Sequence, residues 1–371
     1  MQLEVVFFDE NNPSEAPSNE VKRIWCDSNN PDNPFSSYIG NQAAVRRLSR
    51  AAFSAFGKYN RCCAGQNFAL LGPASTGKTT LAKMFAKLVD LPFVEISPRS
   101  IKDVSDIAVE ISKVCEEIVF ENEDGTTSSL ELMEDENGDF TVPPIIVFID
   151  EVHSLRKNVV QALLKATEPS DNTLVCETSW VLDTRNICWI IATTDRGQLF
   201  DAFDTRFTKI YLHLYSMEEM ANIIHINNSD WNMDICRLVA KYSGGVPREA
   251  LAFAREMRAE HEMNGGSWKE IAALVAEDNG IDEYGMTYQR ISILSALGQK
   301  SVPRNQMAMI AECKEEELTK YIMPSLLAKT SDRNPLVSIS SKGYTITADG
   351  IKELVKRSIP YNKSLEKGML V

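Results

Sequence analysis

The stretch Gly72-Pro-Ala-Ser-Thr-Gly-Lys-Thr79 constrains the fold of this chain more than any other. It fits G-x-x-x-x-G-K-[ST], the pattern of a phosphate-binding loop. Its flanks fit as well. Phe68-Ala-Leu-Leu71 is an apolar run of strand type, and Thr80 to Leu88 has helical spacing. Gly72 and Gly77 let the backbone curl, so that the N–H groups of Pro73-Ala74-Ser75-Thr76 (Pro73 excepted), Gly77, Lys78, Thr79 and Thr80 can face phosphate oxygens at the positive end of the following helix. Lys78 then reaches the β- and γ-phosphates, and the Thr79 hydroxyl can hold Mg²⁺. A strand–loop–helix of this kind belongs to a parallel α/β sheet, so the fold class follows from eight residues and their neighbours.

A second motif supports the first. Ile145-Ile-Val-Phe-Ile-Asp-Glu151 is an apolar run ending in two carboxylates, about 70 residues after the loop. A continuous apolar run is what a strand buried on both faces looks like. Its C-terminal end is where open α/β sheets bind ligands. Asp150 is the candidate Mg²⁺ ligand, directly or through water. Glu151 is the candidate to orient or deprotonate an attacking water.

The rest of the chain divides into blocks. Residues 1–34 form an N-terminal extension whose Asn/Pro/Ser/Asp-rich part cannot bury enough to fold alone. Residues 35–213 alternate helical and strand patterns: strand 68–71, helix 78–89, strand 92–96, helix 103–119, strand 145–149, helix 154–166 and strand 187–192. This block carries an insertion at 116–142 that reads as a solvated hairpin; Glu116 to Asp139 holds ten acidic residues and no basic ones. Residues 214–282 read as all-helical, opened by the capping box Ser216-Met-Glu-Glu219. Residues 283–357 read as three short helices, two strands joined by Ser340-Ser341, and a final helix. That order is the winged-helix pattern. A tail, 358–371, follows.

Charge and cysteine usage limit the partners. The net charge of −13 argues against indiscriminate nucleic-acid binding over the whole surface, but from Glu283 onward 13 Lys/Arg face 9 Asp/Glu. The basic candidates for DNA contact are therefore Lys314, Lys320, Lys329, Arg333 and Lys342. Eight scattered cysteines without CxxC spacing and four isolated histidines give neither a disulfide framework nor a zinc signature. With no apolar run of membrane length and no signal-peptide pattern, the expectation is a cytoplasmic protein that does not enter a membrane.

The order of motifs resembles that of the AAA+ ATPases, and within them the RuvB branch-migration motors. Phe35-Ser-Ser-Tyr-Ile-Gly-Asn-Gln42, the phosphate loop, Val147 to Leu155, Ala192-Thr-Thr194, Asp204-Thr-Arg-Phe207 and Gly244-Gly-Val-Pro-Arg248 carry the likeness, which covers residues 35–357. It implies a large ATPase domain, a helical lid and a C-terminal winged helix. It places Tyr38 and Ile39 against the adenine, a sensor hydroxyl at Thr194 (Thr193 is the alternative), an arginine finger at Arg206 and a γ-phosphate-sensing arginine at Arg248. It implies ATP with Mg²⁺, a homo-oligomeric ring, commonly a hexamer, and movement on duplex or junction DNA. A loader or protein remodeller that uses the winged helix to bind protein is the second reading. A clamp-loader subunit is a third, but the Ser-Arg-Cys finger motif is absent. The chain also departs from the family. It lacks a glycine at 74–76, has Asp204 where RuvB carries a second basic residue, and contains the acidic insertion. The 171–185 segment, where the family docks RuvA, is shorter and has different side chains, which puts a RuvA-like partner in doubt.

Overall fold

Strands whose every residue is apolar must be covered on both faces, and the central sheet is built that way. In the computed structural model, which describes residues 30–58, 66–117, 119–121, 127–129, 133–134, 140–176, 181–194, 203, 205–340 and 343–367, five parallel strands run side by side. They are β1 (Phe68–Leu71), β2 (Phe93–Ile96), β3 (Ile145–Ile149), β4 (Ile187–Thr193) and β5 (Thr208–Tyr211). Their spatial order is β5-β1-β4-β3-β2. In register, Phe68 pairs with Ile190, Ile187 with Ile145, and Phe93 with Ile146.

Side-chain alternation assigns each strand residue to one of two cores. Ile145, Val147, Ile149, Trp189 and Ile191 face one side, packed by Ile107, Ile111, Val159 and Leu163. Ile146, Phe148, Ile190 and Ala192 face the other, with Leu81, Phe85, Val45 and Leu48. The covering helices are α1 (Gln42–Lys58), α2 (Lys78–Val89), α3 (Val104–Glu117) and α4 (Lys157–Ala166). Helix α4 begins later than the pattern predicts. Glu151 takes a left-handed conformation (φ 50°, ψ 48°), a 3-10 turn Val152–Ser154 follows, and Leu155 and Arg156 are extended. The sharp reversal after β3 consumes the residues that periodicity assigns to the helix.

The acidic insertion contributes two ribbons. Val119–Glu121 pairs antiparallel with Thr127–Ser129. Met133–Glu134, Phe140–Thr141, Val181–Asp183 and Thr173–Val175 form a separate four-stranded sheet in that order, so the insertion extends the hairpin of the 171–185 segment.

The chain forms two compact units. The first is residues 1–38, 42–72 and 77–212, and the second is residues 39–41, 73–76 and 213–371. In the second unit, α5 (Met217–Asn227), α6 (Met233–Tyr242), α7 (Pro247–Asn264) and α8 (Trp268–Asp278) surround a core of Ile224, Cys236, Val239, Phe253 and Met257. Ser216 caps α5 as expected: its hydroxyl accepts from Glu219 N, and the Glu219 carboxylate accepts from Ser216 N. Then come α9 (Tyr288–Gln299), α10 (Arg304–Ile310), a helical stretch from Glu315 to Leu327 with a π segment at Leu318–Ile322, the antiparallel pair β6 (Val337–Ser340) and β7 (Gly343–Ile346), and α11 (Ala348–Lys356). Val302 bridges Tyr344 and adds a third line to this ribbon. The extension before Asn30 and most of the insertion lie outside the described residues. No helix among the described residues is long and apolar enough to cross a membrane.

Phe148 is fully buried and stacks on Phe93 at 5.8 Å between ring centroids. Phe148→Ala should lower stability by about 3–5 kcal/mol through lost burial and a residual cavity. Val175→Ala, at a half-exposed edge position, should stay within about 0.5 kcal/mol. Urea unfolding of the two variants side by side measures the contrast.

Candidate functional site

The loop after β1 begins under a packing constraint. A Cβ added to Gly72 would lie 2.5 Å from the Leu212 carbonyl oxygen, so only glycine lets the two strand ends run this close. Ser75 and Gly77 both take positive φ, 60° and 80°. Gly77 does so at little cost; Ser75 adopts a conformation usually left to glycine or asparagine. Gly77 is the N-cap of α2 and accepts Leu81 N at 2.8 Å. Lys78 opens that helix with its side chain folded back, Nζ donating to Gly72 O at 3.0 Å, and it is only 6% exposed. Burial pushes the Lys78 ammonium down, opposed by the nearby charges of Glu151 and Asp150. Thr79 is half-buried and Thr80 exposed.

Within the second unit, Pro73, Ala74 and Ser75 are half-buried and Thr76 is buried. Thr76 donates its hydroxyl to Pro73 O at 2.9 Å and accepts the Tyr215 hydroxyl on its own carbonyl at 3.0 Å. Tyr215 also lies against Gly40, whose φ of 72° and absent Cβ make room for the ring. Sequence reasoning missed Tyr215, because nothing local in His213–Ser216 marks a partner 139 positions away.

The carboxylates stand at the end of β3. Asp150 Oδ2 is 3.4 Å from the Thr79 hydroxyl, and its Oδ1 accepts Glu151 N at 2.9 Å. Burial, then the Glu151 charge, push the Asp150 carboxyl up, while Lys78 and these hydrogen bonds pull it down. A desolvated carboxylate beside a threonine hydroxyl is an oxygen-donor pair that fits Mg²⁺, which takes its remaining ligands from phosphates and water. Glu151 Oε2 accepts from Thr194 N at 3.2 Å and from Thr194 Oγ1 at 3.0 Å. His153 Nδ1 lies 3.2 Å from the same oxygen and 2.8 Å from Thr193 Oγ1. The two threonines at the end of β4 thus take different partners, Thr194 meeting the carboxylate and Thr193 the imidazole. The left-handed backbone of Glu151 costs on the order of 1–3 kcal/mol, strain of the kind found where a side chain must be aimed.

The other predicted residues lie elsewhere. Tyr38 is buried in the core that contains Phe35 and Leu81, and Ile39 is half-buried. Arg206 sits in a turn pinned by Phe203 and Phe207, whose rings meet edge-on at 5.3 Å. Its Nη2 donates to Glu168 Oε2 at 2.5 Å, a partner 38 residues away that sequence reasoning did not identify. Arg248 is exposed on the first turn of α7. The basic candidates of the C-terminal region differ in their surroundings. Lys314 and Lys329 are exposed. Lys320 pairs with Glu316 at 2.8 Å. Arg333 is half-buried: its Nη2 donates to Ser325 O at 2.7 Å, and burial pushes its guanidinium down. Lys342 lies outside the described residues.

Residues 68–214 match the family model described as "ATPase family associated with various cellular activities (AAA)". No curated protein matches the chain. Among solved structures, the RuvB Holliday junction branch migration motor of Thermotoga maritima aligns with a TM-score of 0.66 at 21% identity, covering 90% of this chain and 98% of that one. A point variant of the same protein aligns with a TM-score of 0.65 at 21% identity, covering 86% and 95%. The chain has an AAA+ fold, RuvB-like in architecture and divergent in sequence.

Gly72→Ala should force the Leu71 and Leu212 strand ends apart and destabilise the protein by about 1–3 kcal/mol, the usual range for overpacking. Thermal unfolding of the nucleotide-free protein measures the loss, and binding of a fluorescent ATP analogue should weaken in parallel.

Proposed function

We propose that this protein is an ATP-hydrolysing ring motor that moves on duplex DNA, in the manner of RuvB branch migration. One observation carries the ATP-hydrolysing part of the reading. Glu151 is held by Thr194 on one carboxylate oxygen, at the end of a fully buried strand, beside Asp150 and the buried Lys78. Lys78 neutralises charge on the β- and γ-phosphates. Thr79 and Asp150 would hold Mg²⁺, which would draw charge off the phosphate oxygens. Glu151 orients the attacking water and takes its proton. Thr194 holds the carboxylate in line, and Arg248 senses the γ-phosphate. Residues Gly72 to Thr80, Pro73 excepted, cradle the phosphates with backbone N–H groups, and Tyr38 and Ile39 lie on the adenine side.

Arg206 acts on the nucleotide of a neighbouring copy, which makes a closed ring, a hexamer by likeness, the working form. DNA is met by the C-terminal winged-helix region through Lys314 and Lys329. The charge distribution keeps a second reading in play. With Arg333 turned inward, Lys320 paired and the chain at −13 overall, a remodeller that grips protein through the same region is the alternative.

The ATPase rate of the full chain, measured alone and with duplex, four-way-junction and single-stranded DNA, separates the two. Stimulation by duplex or junction DNA that falls steeply with salt supports the motor. Equal rates in all four conditions move the protein to the remodeller class. Glu151→Gln should bind ATP normally and hydrolyse it at least about a hundredfold more slowly, the usual scale for losing a general base. Turnover at the unmutated rate would remove Glu151 from the chemistry.

Arg206→Ala should bind ATP yet turn it over poorly, and mixing it with Lys78→Ala should restore part of the activity. Each mixed interface that joins an intact loop to an intact finger can work. Absence of recovery, with subunit exchange shown by fluorescence energy transfer, would place Arg206 outside the neighbour's site.

A further inference from the structure

Arg290 is an arginine with no surface role. It stands in the first turn of α9 and is 5% exposed. Among the described residues its one carboxylate partner is Glu249, Nη2 to Oε2, at a long 3.4 Å, and its Nε meets no acceptor. A buried guanidinium satisfied so thinly is a poor stabilising device, because charge desolvation is weakly repaid at that distance. What the group does is fill space against a turn. A Cβ on Gly244 would lie 2.3 Å from Arg290 Nη1 and 2.8 Å from its Cζ. Gly244 and Gly245 both have positive φ, 59° and 84°, so the turn needs glycine for its backbone as well as for the contact.

That turn runs directly into α7. Val246 is the N-cap, Pro247 the first helical residue, Arg248 the second and Glu249 the third. Arg290 therefore touches the chain on both sides of Arg248, at Gly244 before it and at Glu249 after it, while Arg248 itself is exposed. The C-terminal region meets a second helix start, that of α5. Asp332 Oδ2 accepts Met217 N at the start of α5, at 2.8 Å. The next residue, Arg333, lies within electrostatic reach of Arg290.

We propose that Arg290 is a positioning residue for Arg248: by bracketing the Gly244–Glu249 turn, it makes the aim of Arg248 depend on the seating of α9. The proposal rests on the reading of Arg248 as the γ-phosphate sensor. It assigns to the C-terminal region a part in ATP turnover that needs no contact with nucleotide. Arg290→Lys keeps the charge and loses the planar fork that spans both contacts, so it should fall between the wild type and Arg290→Met.

The test is a double-mutant cycle on the full chain, with kcat and KM for ATP measured for Arg290→Met, Arg248→Ala and the pair. Arg290→Met alone should lower kcat on the order of ten- to a hundredfold, the scale of a misaimed catalytic group. In the Arg248→Ala background it should have no further effect. Losses that multiply in the double variant overturn the proposal while leaving the sensor reading intact. Unchanged turnover in Arg248→Ala overturns the sensor reading, and the proposal with it. If Arg290→Met does not fold, Glu249→Gln removes the other side of the bracket and should show the same lack of additivity with Arg248→Ala; multiplied losses there count equally against it.

Discussion

A lysine ammonium at 6% exposure, with two carboxylates for neighbours, is the condition on which the first unit is organised. The ammonium donates to the Gly72 carbonyl, and Gly72 can present that oxygen here because it lacks a side chain against Leu212. The carboxylates are in the complementary position. Desolvation raises Asp150, and Lys78 offsets that rise. Neither group is comfortable without the other, and both are better served by a ligand that brings several negative oxygens and a divalent cation. The fully buried β3 puts the carboxylates there, and the left-handed turn at Glu151 keeps the second from following the strand direction of the first.

Much of this was legible in the sequence, and for a physical reason. A phosphate loop, a double-sided apolar strand and a capping box are local patterns; each is set by neighbours within a few residues. Thus β1, α2, β3 and the Ser216–Glu219 cap fall where the pattern puts them. The illegible part is everything that depends on distant partners. Glu168 on Arg206, Tyr215 on Thr76 and Arg290 on Gly244 are separated by 38, 139 and 46 positions and leave no periodic trace. The hydrogen bond of Arg333 to Ser325 was illegible for the same reason. A basic residue in a Thr-Ser-Asp-Arg-Asn loop looks solvated, and only the packing of that loop against Ser325 turns the guanidinium inward. The late start of α4 has a different origin, since helical spacing carries no record of a strained residue upstream.

In the second unit, directional polar contacts supplement two apolar cores. Asp332 satisfies an N–H of the first turn of α5, which would otherwise need water or a cap. Arg357 bonds both Asp282 and Glu353, tying the end of α11 to the chain just before α9. The Asp332–Met217 and Arg357–Asp282 contacts are directional and join segments 115 and 75 positions apart.

The small sheet beside the 171–185 hairpin has a consequence of its own. Phe140–Thr141 runs parallel to Val181–Asp183 and occupies the inner edge of that hairpin, leaving Thr173–Val175 as an outer edge with Val175 half-exposed. The protein thus acts as its own strand donor. A foreign segment seeking to dock by backbone pairing would have to displace a tethered competitor at the inner edge, at the high effective concentration that a short tether confers. Self-complementation of this kind closes the Val181–Asp183 edge to backbone pairing, whatever side chains the hairpin carries.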